Sequence, residues 1–154
     1  MVGPADVLVR AANHTDQADV VACVNAAYQG YVAAIGREPA PMLADYAQLI
    51  SDGLVRVAVS GGAVVGVIVM WPEQDHLYVD NVAVLPDAQG RGVGAALLHV
   101  AEATARESDR AEIRLYTNAA MTANLDYYPR RGYVETHRAH EAGYHRVYFS
   151  KTVA

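Results

Sequence analysis

An apolar segment followed by alternating glycines constrains the fold of this chain more than any other feature. Residues 82–85 read as the end of a strand, a short turn follows, and a predicted helix opens with Gly90, Gly92 and Gly94. The first turn of a helix leaves four backbone N–H groups without intrahelical partners, and that end carries a partial positive charge. Because glycines have no Cβ, phosphate oxygens can approach these groups closely. The turn therefore predicts a pyrophosphate site, to which Arg91 can add a mobile charge.

Two other phosphate-binding motifs fit this turn less well. The nucleoside triphosphate loop places Lys and then Ser or Thr after its last glycine, where this chain has Ala95 and Ala96. The dinucleotide motif runs its strand straight into the first glycine and ends the next strand with an acidic residue. Here residues 86–89 intervene, and the next predicted strand ends in Thr117 and Asn118. A nicotinamide-linked oxidoreductase stays open as an alternative.

Gln89, Gly92 and Gly94 follow a defined spacing: Gln or Arg, two residues, Gly, one residue, then Gly or Ala. In this spacing the chain resembles the GCN5-related N-acetyltransferase (GNAT) superfamily, whose acetyl-CoA signature it is. The resemblance covers most of the chain, clearly from about residue 55 onward. It implies a single α/β domain over residues 1–154, with a mixed, mostly antiparallel sheet of six to seven strands. About four helices flank this sheet, and its central parallel strands splay apart.

The pattern of apolar residues along the chain agrees with a mixed sheet. Residues 55–59 and 63–70 are β-branched runs joined by Ser60-Gly61-Gly62, which predicts a hairpin. Helices are predicted over 92–108 and 122–130. The order βααβββαβαβ(β) places the first of these helices between the fourth and fifth strands, which makes those strands parallel. The apolar stripe predicted for that helix is Val93, Leu97, Val100 and Thr104.

The resemblance implies an acetyl-CoA site between the two splayed strands. The pantetheine arm is expected to pair with exposed backbone of the fourth strand. Asn124 is expected to bond the pantetheine or phosphate portion, and Arg130 or Arg131 to reach the 3′-phosphate. The predicted cofactor residues are Val82, Ala83, Val84, Gln89, Gly90, Arg91, Gly92, Val93, Gly94, Ala95, Asn124 and Arg131.

Acetyl transfer to an amine poses two proton problems. An amine with a pKa of about 10 is mostly protonated at neutral pH, and the leaving thiolate must regain a proton. Tyr128, four residues before Gly132, matches the family's usual catalytic tyrosine, and Tyr127 is its rival. For the amine, the acidic candidate is Asp80, just before the expected bulge, where some relatives carry a glutamate that acts directly or through water. The period of two along a strand puts Tyr78 on the same face.

The acceptor is expected to be a small-molecule or peptide amine that the sequence does not identify. Aromatic side chains suit such a wall, and the predicted acceptor residues are Tyr28, Tyr31, Trp71 and Tyr78. No metal is expected, because His137 and His140 fall on opposite faces of one strand and no carboxylate pair completes a ligand set. A CoA-sensing module without catalysis is the alternative to an enzyme.

Composition limits the partners and the compartment. Charged residues make up 19% of the chain and the net charge is −5, which argues against a nucleic-acid-binding face. The single cysteine, Cys23, excludes an intramolecular disulfide and fits a reducing compartment. No apolar run reaches the roughly 18 residues of a membrane span. We therefore expect a cytoplasmic protein without a membrane partner, and a homodimer by analogy with the family.

Overall fold

The computed structural model describes residues 7–153. Its strands are β1 (Leu8–Ala11), β2 (Val55–Ser60), β3 (Ala63–Pro72), β4 (Leu77–Val84), β5 (Glu112–Asn118), β6 (Val134–Glu141) and β7 (Tyr144–Thr152). Its helices are α1 (Gln17–Tyr28), α2 (Val32–Ile35), α3 (Tyr46–Ser51), α4 (Val93–Glu107) and α5 (Thr122–Arg130). The strands form one sheet in the order β1-β2-β3-β4-β5-β7-β6, in which only β4 and β5 are parallel neighbours. The predicted fold class is confirmed.

The two faces of β3 bury apolar side chains in two different cores. Val67 and Val69 pack in a cluster with the α1 residue Val24, whereas Ile68 and Met70 pack in a cluster with Leu97 of α4. Successive side chains of a strand point to opposite faces, so a strand covered on both sides is apolar throughout. The sheet is therefore a central layer, with α1 and α3 on one side and α4 on the other.

The hairpin between β2 and β3 forms where it was predicted. Gly61 and Gly62 have φ angles of 57° and 80°, so both lie in the left-handed region. A two-residue turn with two positive φ angles matches the twist of the flanking strands, and glycine adopts it without a Cβ clash.

The apolar stripe predicted for α4 is partly wrong. The buried residues of this helix are Val93, Leu97, Leu98, Ala101 and Ala105, whereas Val100 and Thr104 of the predicted stripe are only partly buried. Small residues can lie against the sheet because α4 approaches it closely. A Cβ added at Gly66 of β3 would lie 2.8 Å from the Val93 Cγ1 atom.

Strands β4 and β5 pair over only three residues and then separate. Their last partners are Val79 and Leu115, beyond which residues 116–118 pair with β7 alone. The register between β3 and β4 shifts at the same place, since Val79 is opposite Met70 while Asn81 is opposite Val69. Asp80 is thus the extra residue of a β-bulge, not its predecessor as predicted. The bulge and the separation together open the sheet at its centre.

Candidate active site

The separation of β4 and β5 opens a groove of about 440 Å³ that runs to the start of α4. All the predicted cofactor residues except Arg91 line it: Val82, Ala83, Val84, Gln89, Gly90, Gly92, Val93, Gly94, Ala95, Asn124 and Arg131. Arg91 is exposed and outside the groove. The glycine turn, the end of β4 and the side of α5 thus form one continuous surface.

The glycine turn presents unpaired backbone N–H groups to this groove. Gly90 and Gly92 have φ angles of 77° and 85°, which residues with a Cβ rarely adopt. Gly92 caps α4 without a side-chain hydrogen bond, and the first backbone bond of the helix runs from the N–H of Ala96 to the Gly92 carbonyl. The N–H groups of residues 93–95 lie before that bond, so they have no partner within the helix and can bind an anion at its positive end.

The end of β4 presents a second row of backbone groups. The Leu85 N–H bonds the Val65 carbonyl of β3, and in an antiparallel ladder the bonding direction alternates along the strand. The polar groups of Val82 and Val84 therefore point away from β3 into the gap. Their carbonyls accept hydrogen bonds there from Tyr28 Oη at 3.1 Å and from Gln89 Nε2 at 3.4 Å, respectively. The N–H groups of the same two residues are directed to the groove as well.

A smaller pocket of about 40 Å³ continues the groove on the other side of the gap. It is lined by residues 39–41, the bulge of β4, the end of β5 and the start of β7. The residues common to the groove and this pocket are Tyr28, Val82, Met121, Asn124 and Tyr128. They mark the point where a ligand lying in the groove would meet a second ligand in the small pocket.

Tyr128 occupies this junction in a well-packed position. The side chain is buried, and its ring contacts Tyr127, Tyr133 and Phe149 with centroid distances of 5.5–5.6 Å. Burial raises the pKa of Tyr128 above its ordinary value, and the neighbouring Tyr127 adds to the shift. Its hydroxyl therefore stays protonated at neutral pH, where it can donate a hydrogen bond or a proton but cannot act as a base in the phenolate form.

Asp80 enters the small pocket from the bulge. Burial raises the pKa of its carboxyl group, while hydrogen bonds from Asn81 and Tyr78 and the charge of Arg146 oppose the shift. A raised pKa makes a carboxylate a better proton acceptor. Tyr78, which was predicted to share a face of β4 with Asp80, is thus near enough to influence the pKa of Asp80.

Comparisons with known proteins decide which family this arrangement represents. The sequence profile of the "Acetyltransferase (GNAT) family" matches residues 19–133. The chain belongs to the GNAT acetyltransferase family. No curated protein matches this acetyltransferase at a significant level.

Solved structures share the fold over nearly the whole length of this acetyltransferase. PaiA N-acetyltransferase from Thermoplasma acidophilum, in complex with coenzyme A, has 15% identity and a TM-score of 0.79, covering 95% of this chain and 98% of that one. Ard1 from Thermoplasma volcanium has 18% identity, a TM-score of 0.76 and coverage of 97% and 99%. A structure of the NatC complex bound to Gag peptide and CoA has 18% identity, a TM-score of 0.72 and the same coverage.

Acetyl-CoA is the co-substrate of this acetyltransferase, and the groove fits its diphosphate. A Cβ added at Gly94 would lie 3.0 Å from the Tyr127 hydroxyl, so the missing side chain leaves space between α4 and α5. The Arg131 guanidinium lies 5.2 Å from the centre of the Tyr127 ring, and both residues line the groove. Asn124 donates a 3.0 Å hydrogen bond to Thr117 Oγ1, which ties α5 to β5. The Asn124 carbonyl oxygen is not used in that bond.

The residues predicted for the acceptor fall in three places. Tyr28 lines both the groove and the small pocket, while Tyr31 lines the groove only. Trp71 and Tyr78 form a ring pair with centroids 5.1 Å apart that lies outside the pocket lining, although Tyr78 lowers the pKa of Asp80. Trp71 thus has no place in this pocket.

The lining residues that the sequence analysis did not predict include three large side chains, Tyr116, Tyr144 and Arg146. They lie on β5 and β7, where Asn118 is opposite Arg146. The only available signal was the alternation of Tyr144, Arg146 and Tyr148 along the last strand, which puts all three on one face.

Histidines of the last two strands lie in ring stacks. His137 stacks on Tyr148, and His140 stacks on His145 with centroids 4.2 Å apart. In this part of the chain, no group of three or more His, Cys, Asp or Glu side chains is placed to bind a metal ion. The helices described there are also too short or too polar to span a bilayer.

Proposed function

We propose that this protein transfers an acetyl group from acetyl-CoA directly to a primary amine. The observation that carries the proposal is the meeting of the cofactor groove and the Asp80 pocket at Tyr128. In the transfer, the amine nitrogen bonds the acetyl carbon, the C–S bond breaks and coenzyme A leaves as the thiol. No covalent enzyme intermediate is required, because donor and acceptor can lie in adjoining cavities.

In this proposal, Tyr128 is the general acid. A phenol with a pKa of about 10 protonates a thiolate with a pKa of about 8.5 by an uphill step. Burial raises the pKa of Tyr128 further. Burial of a thiolate in the same junction would raise the thiol pKa too, which reduces the difference between the two groups. Tyr128 therefore stabilises the leaving sulfur first as a hydrogen-bond donor and then as the proton source.

Asp80 receives the amine proton, directly or through water. Its place in the small pocket puts a carboxylate where the acceptor nitrogen must approach the junction. Tyr28 lines the same pocket and forms part of the proposed acceptor wall, while Tyr78 influences the Asp80 carboxyl from outside that lining. The carboxylate favours a cationic acceptor and helps to deprotonate it as the new bond forms.

Thiol release from acetyl-CoA, measured with a panel of amines, tests the proposal. Tyr128→Phe should lower kcat by about 10²-fold with little change in acetyl-CoA affinity. Tyr127→Phe is the matched control and should keep most of kcat. A CoA-sensing module would bind acetyl-CoA, release no thiol with any amine and be indifferent to Tyr128→Phe. A nicotinamide enzyme would bind NAD in calorimetry, and this outcome would overturn the proposal.

We further propose that the chain acts as one domain in the cytoplasm, as a homodimer, on a small-molecule or peptide amine and not on nucleic acid. Sedimentation of the purified protein tests the dimer, since a single monomeric species at micromolar concentration contradicts it. Fractionation of the source cells tests the compartment.

A further inference from the structure

Arg146 brings a positive charge into the acceptor pocket that the proposed chemistry does not use. The residue lies on β7 and lines the pocket beside Asp80. Its guanidinium lies 4.3 Å from the centre of the Tyr116 ring and 5.5 Å from that of Tyr144. Two aromatic faces hold the group by cation–π contacts, which fix its position without neutralising it.

The protein provides little compensation for this charge. Within residues 7–153, no carboxylate oxygen lies within 4.0 Å of the Arg146 guanidinium. Its Nε–H is buried and has no hydrogen-bond partner among those residues. The Tyr148 hydroxyl interacts with Arg146 but donates its own hydrogen to Glu141, and Asp80 is near enough to feel the charge. A partly buried guanidinium without a paired anion is costly, and a bound anion would offset that cost.

We propose that Arg146 binds the carboxylate of the acceptor, so that the acceptor is a small amino acid whose α-amine lies at Asp80. This inference rests on the proposed acetyl transfer. The pocket holds one carboxylate and one guanidinium, which complement the ammonium and the carboxylate of a single zwitterion. The pocket volume of about 40 Å³ is small, which argues against a bulky head group.

Arg146 could instead act only on Asp80, because its positive charge lowers the Asp80 pKa. Acting on the Asp80 pKa and binding the acceptor carboxylate have different effects on the choice of acceptor. If Arg146 only lowers the Asp80 pKa, its replacement changes the rate for every amine in the same proportion. That effect disappears at a pH well above the Asp80 pKa, where the carboxylate is fully ionised in both proteins. A carboxylate-binding role changes the preference between an amino acid and its amide at any pH.

The test compares L-amino acids with their α-amides, pair by pair, as acceptors of wild-type protein and of Arg146→Gln at about pH 8.5, above carboxylate titration. Wild type should prefer the acid, although the amide has the more easily deprotonated amine. In Arg146→Gln the acid-to-amide ratio of kcat/KM should fall by at least ~30-fold, mainly through KM. Arg146→Lys should recover part of the ratio, since it keeps the charge but not the planar fork.

The outcomes separate this inference from the proposed function. Thiol release with amides as fast as with acids, or an equal loss for both in Arg146→Gln, overturns the carboxylate site and leaves acetyl transfer intact. No thiol release with any amine overturns both. Acetyl-CoA titration of Arg146→Gln monitors folding, because Arg146 does not line the cofactor groove and binding should equal that of wild type.

Discussion

The Tyr28 hydroxyl donates a 3.1 Å hydrogen bond to the backbone carbonyl of Val82, which lies 54 residues further along the chain. This bond joins the end of α1 to the strand that has separated from β5. It satisfies a carbonyl that a continuous sheet would have paired, so the opening in the sheet does not leave that group without a partner. A side chain from the helix layer that contains α1 therefore stabilises the gap between β4 and β5.

Replacement of Tyr28 by Phe should lower the free energy of unfolding by about 1 kcal/mol, because the Val82 carbonyl loses its partner. Tyr46→Phe is the comparison and should cost more. The Tyr46 hydroxyl donates to the Pro41 carbonyl at 2.6 Å and accepts from Asn81 Nδ2 at 3.3 Å. Urea unfolding of both variants measures which of them loses more free energy of unfolding. A Tyr28→Phe variant as stable as wild type would show that water replaces the bond.

The cofactor side could be predicted from the sequence because it is local in the chain. Residues 82–95 form a strand, a turn and a helix start in succession, and the geometry of a helix N-terminus follows from its backbone alone. Tyr127 and Tyr128 are adjacent, so one faces the glycine turn and the other the junction. The sequence could not decide which, because that depends on how α5 is rotated against β5.

The acceptor side could not be predicted because it is assembled by long-range pairing. Arg146 reaches the pocket only because β7 inserts between β5 and β6, which places it opposite Asn118. Asp80 forms the bulge itself, and a bulge interrupts the period-two argument from which faces are assigned. Trp71 and Tyr78 form a ring pair outside the lining of this pocket, so their role in acceptor binding stays a prediction.

Gly94→Ala should raise KM for acetyl-CoA about tenfold and leave the stability nearly unchanged. The new Cβ would lie 3.0 Å from the hydroxyl end of Tyr127, which can move, but it would enter the space beside the glycine turn. Gly30→Ala is the matched control, as a Cβ there meets nothing within 4 Å. A tenfold change corresponds to about 1.4 kcal/mol of binding free energy. An unchanged KM for acetyl-CoA in Gly94→Ala would contradict binding of the diphosphate at this turn.

Asp80→Asn should lower kcat/KM by about 10²-fold or more and remove the acidic limb of the pH–rate profile. Burial raises the pKa of Asp80, so that limb should lie above the range of an exposed carboxylate. Activity is present above the pKa, where the carboxylate can accept a proton, and is lost as the pH falls through it. A profile with the same acidic limb in Asp80→Asn would assign the base to another group.

The Arg10–Asp16 pair should contribute to stability at neutral pH and not in strong acid. The Arg10 guanidinium donates hydrogen bonds to both carboxylate oxygens of Asp16 at 2.8 and 3.0 Å. These bonds, together with one from the Asn13 N–H, lower the pKa of Asp16 to about 2. A lowered folded-state pKa stabilises the fold above the unfolded value, and this contribution is lost as the pH falls towards 2.

Asp16→Asn should therefore cost about 1 kcal/mol at about pH 7, and the difference from wild type should shrink as the pH approaches 2. Urea unfolding at a series of pH values gives this comparison. Asp19→Asn, an exposed position in the first turn of α1, should cost less throughout. A pH-independent difference would attribute the effect of Asp16→Asn to altered hydrogen bonding and not to the charge of the carboxylate.

Cys23 should react with iodoacetamide only when the protein unfolds, and acetyl-CoA should slow that reaction. The side chain is 1% exposed, and burial raises the pKa of its thiol to about 11, so the native state offers neither access nor thiolate. Labelling then follows the population of open molecules. A ligand that binds only the folded state lowers this population by a factor of about one hundred at 100 times its Kd. Mass spectrometry of the labelled protein measures the rate, with Cys23→Ser as the unreactive control. A fast labelling rate that acetyl-CoA does not change would mean that α1 opens locally while the groove stays intact.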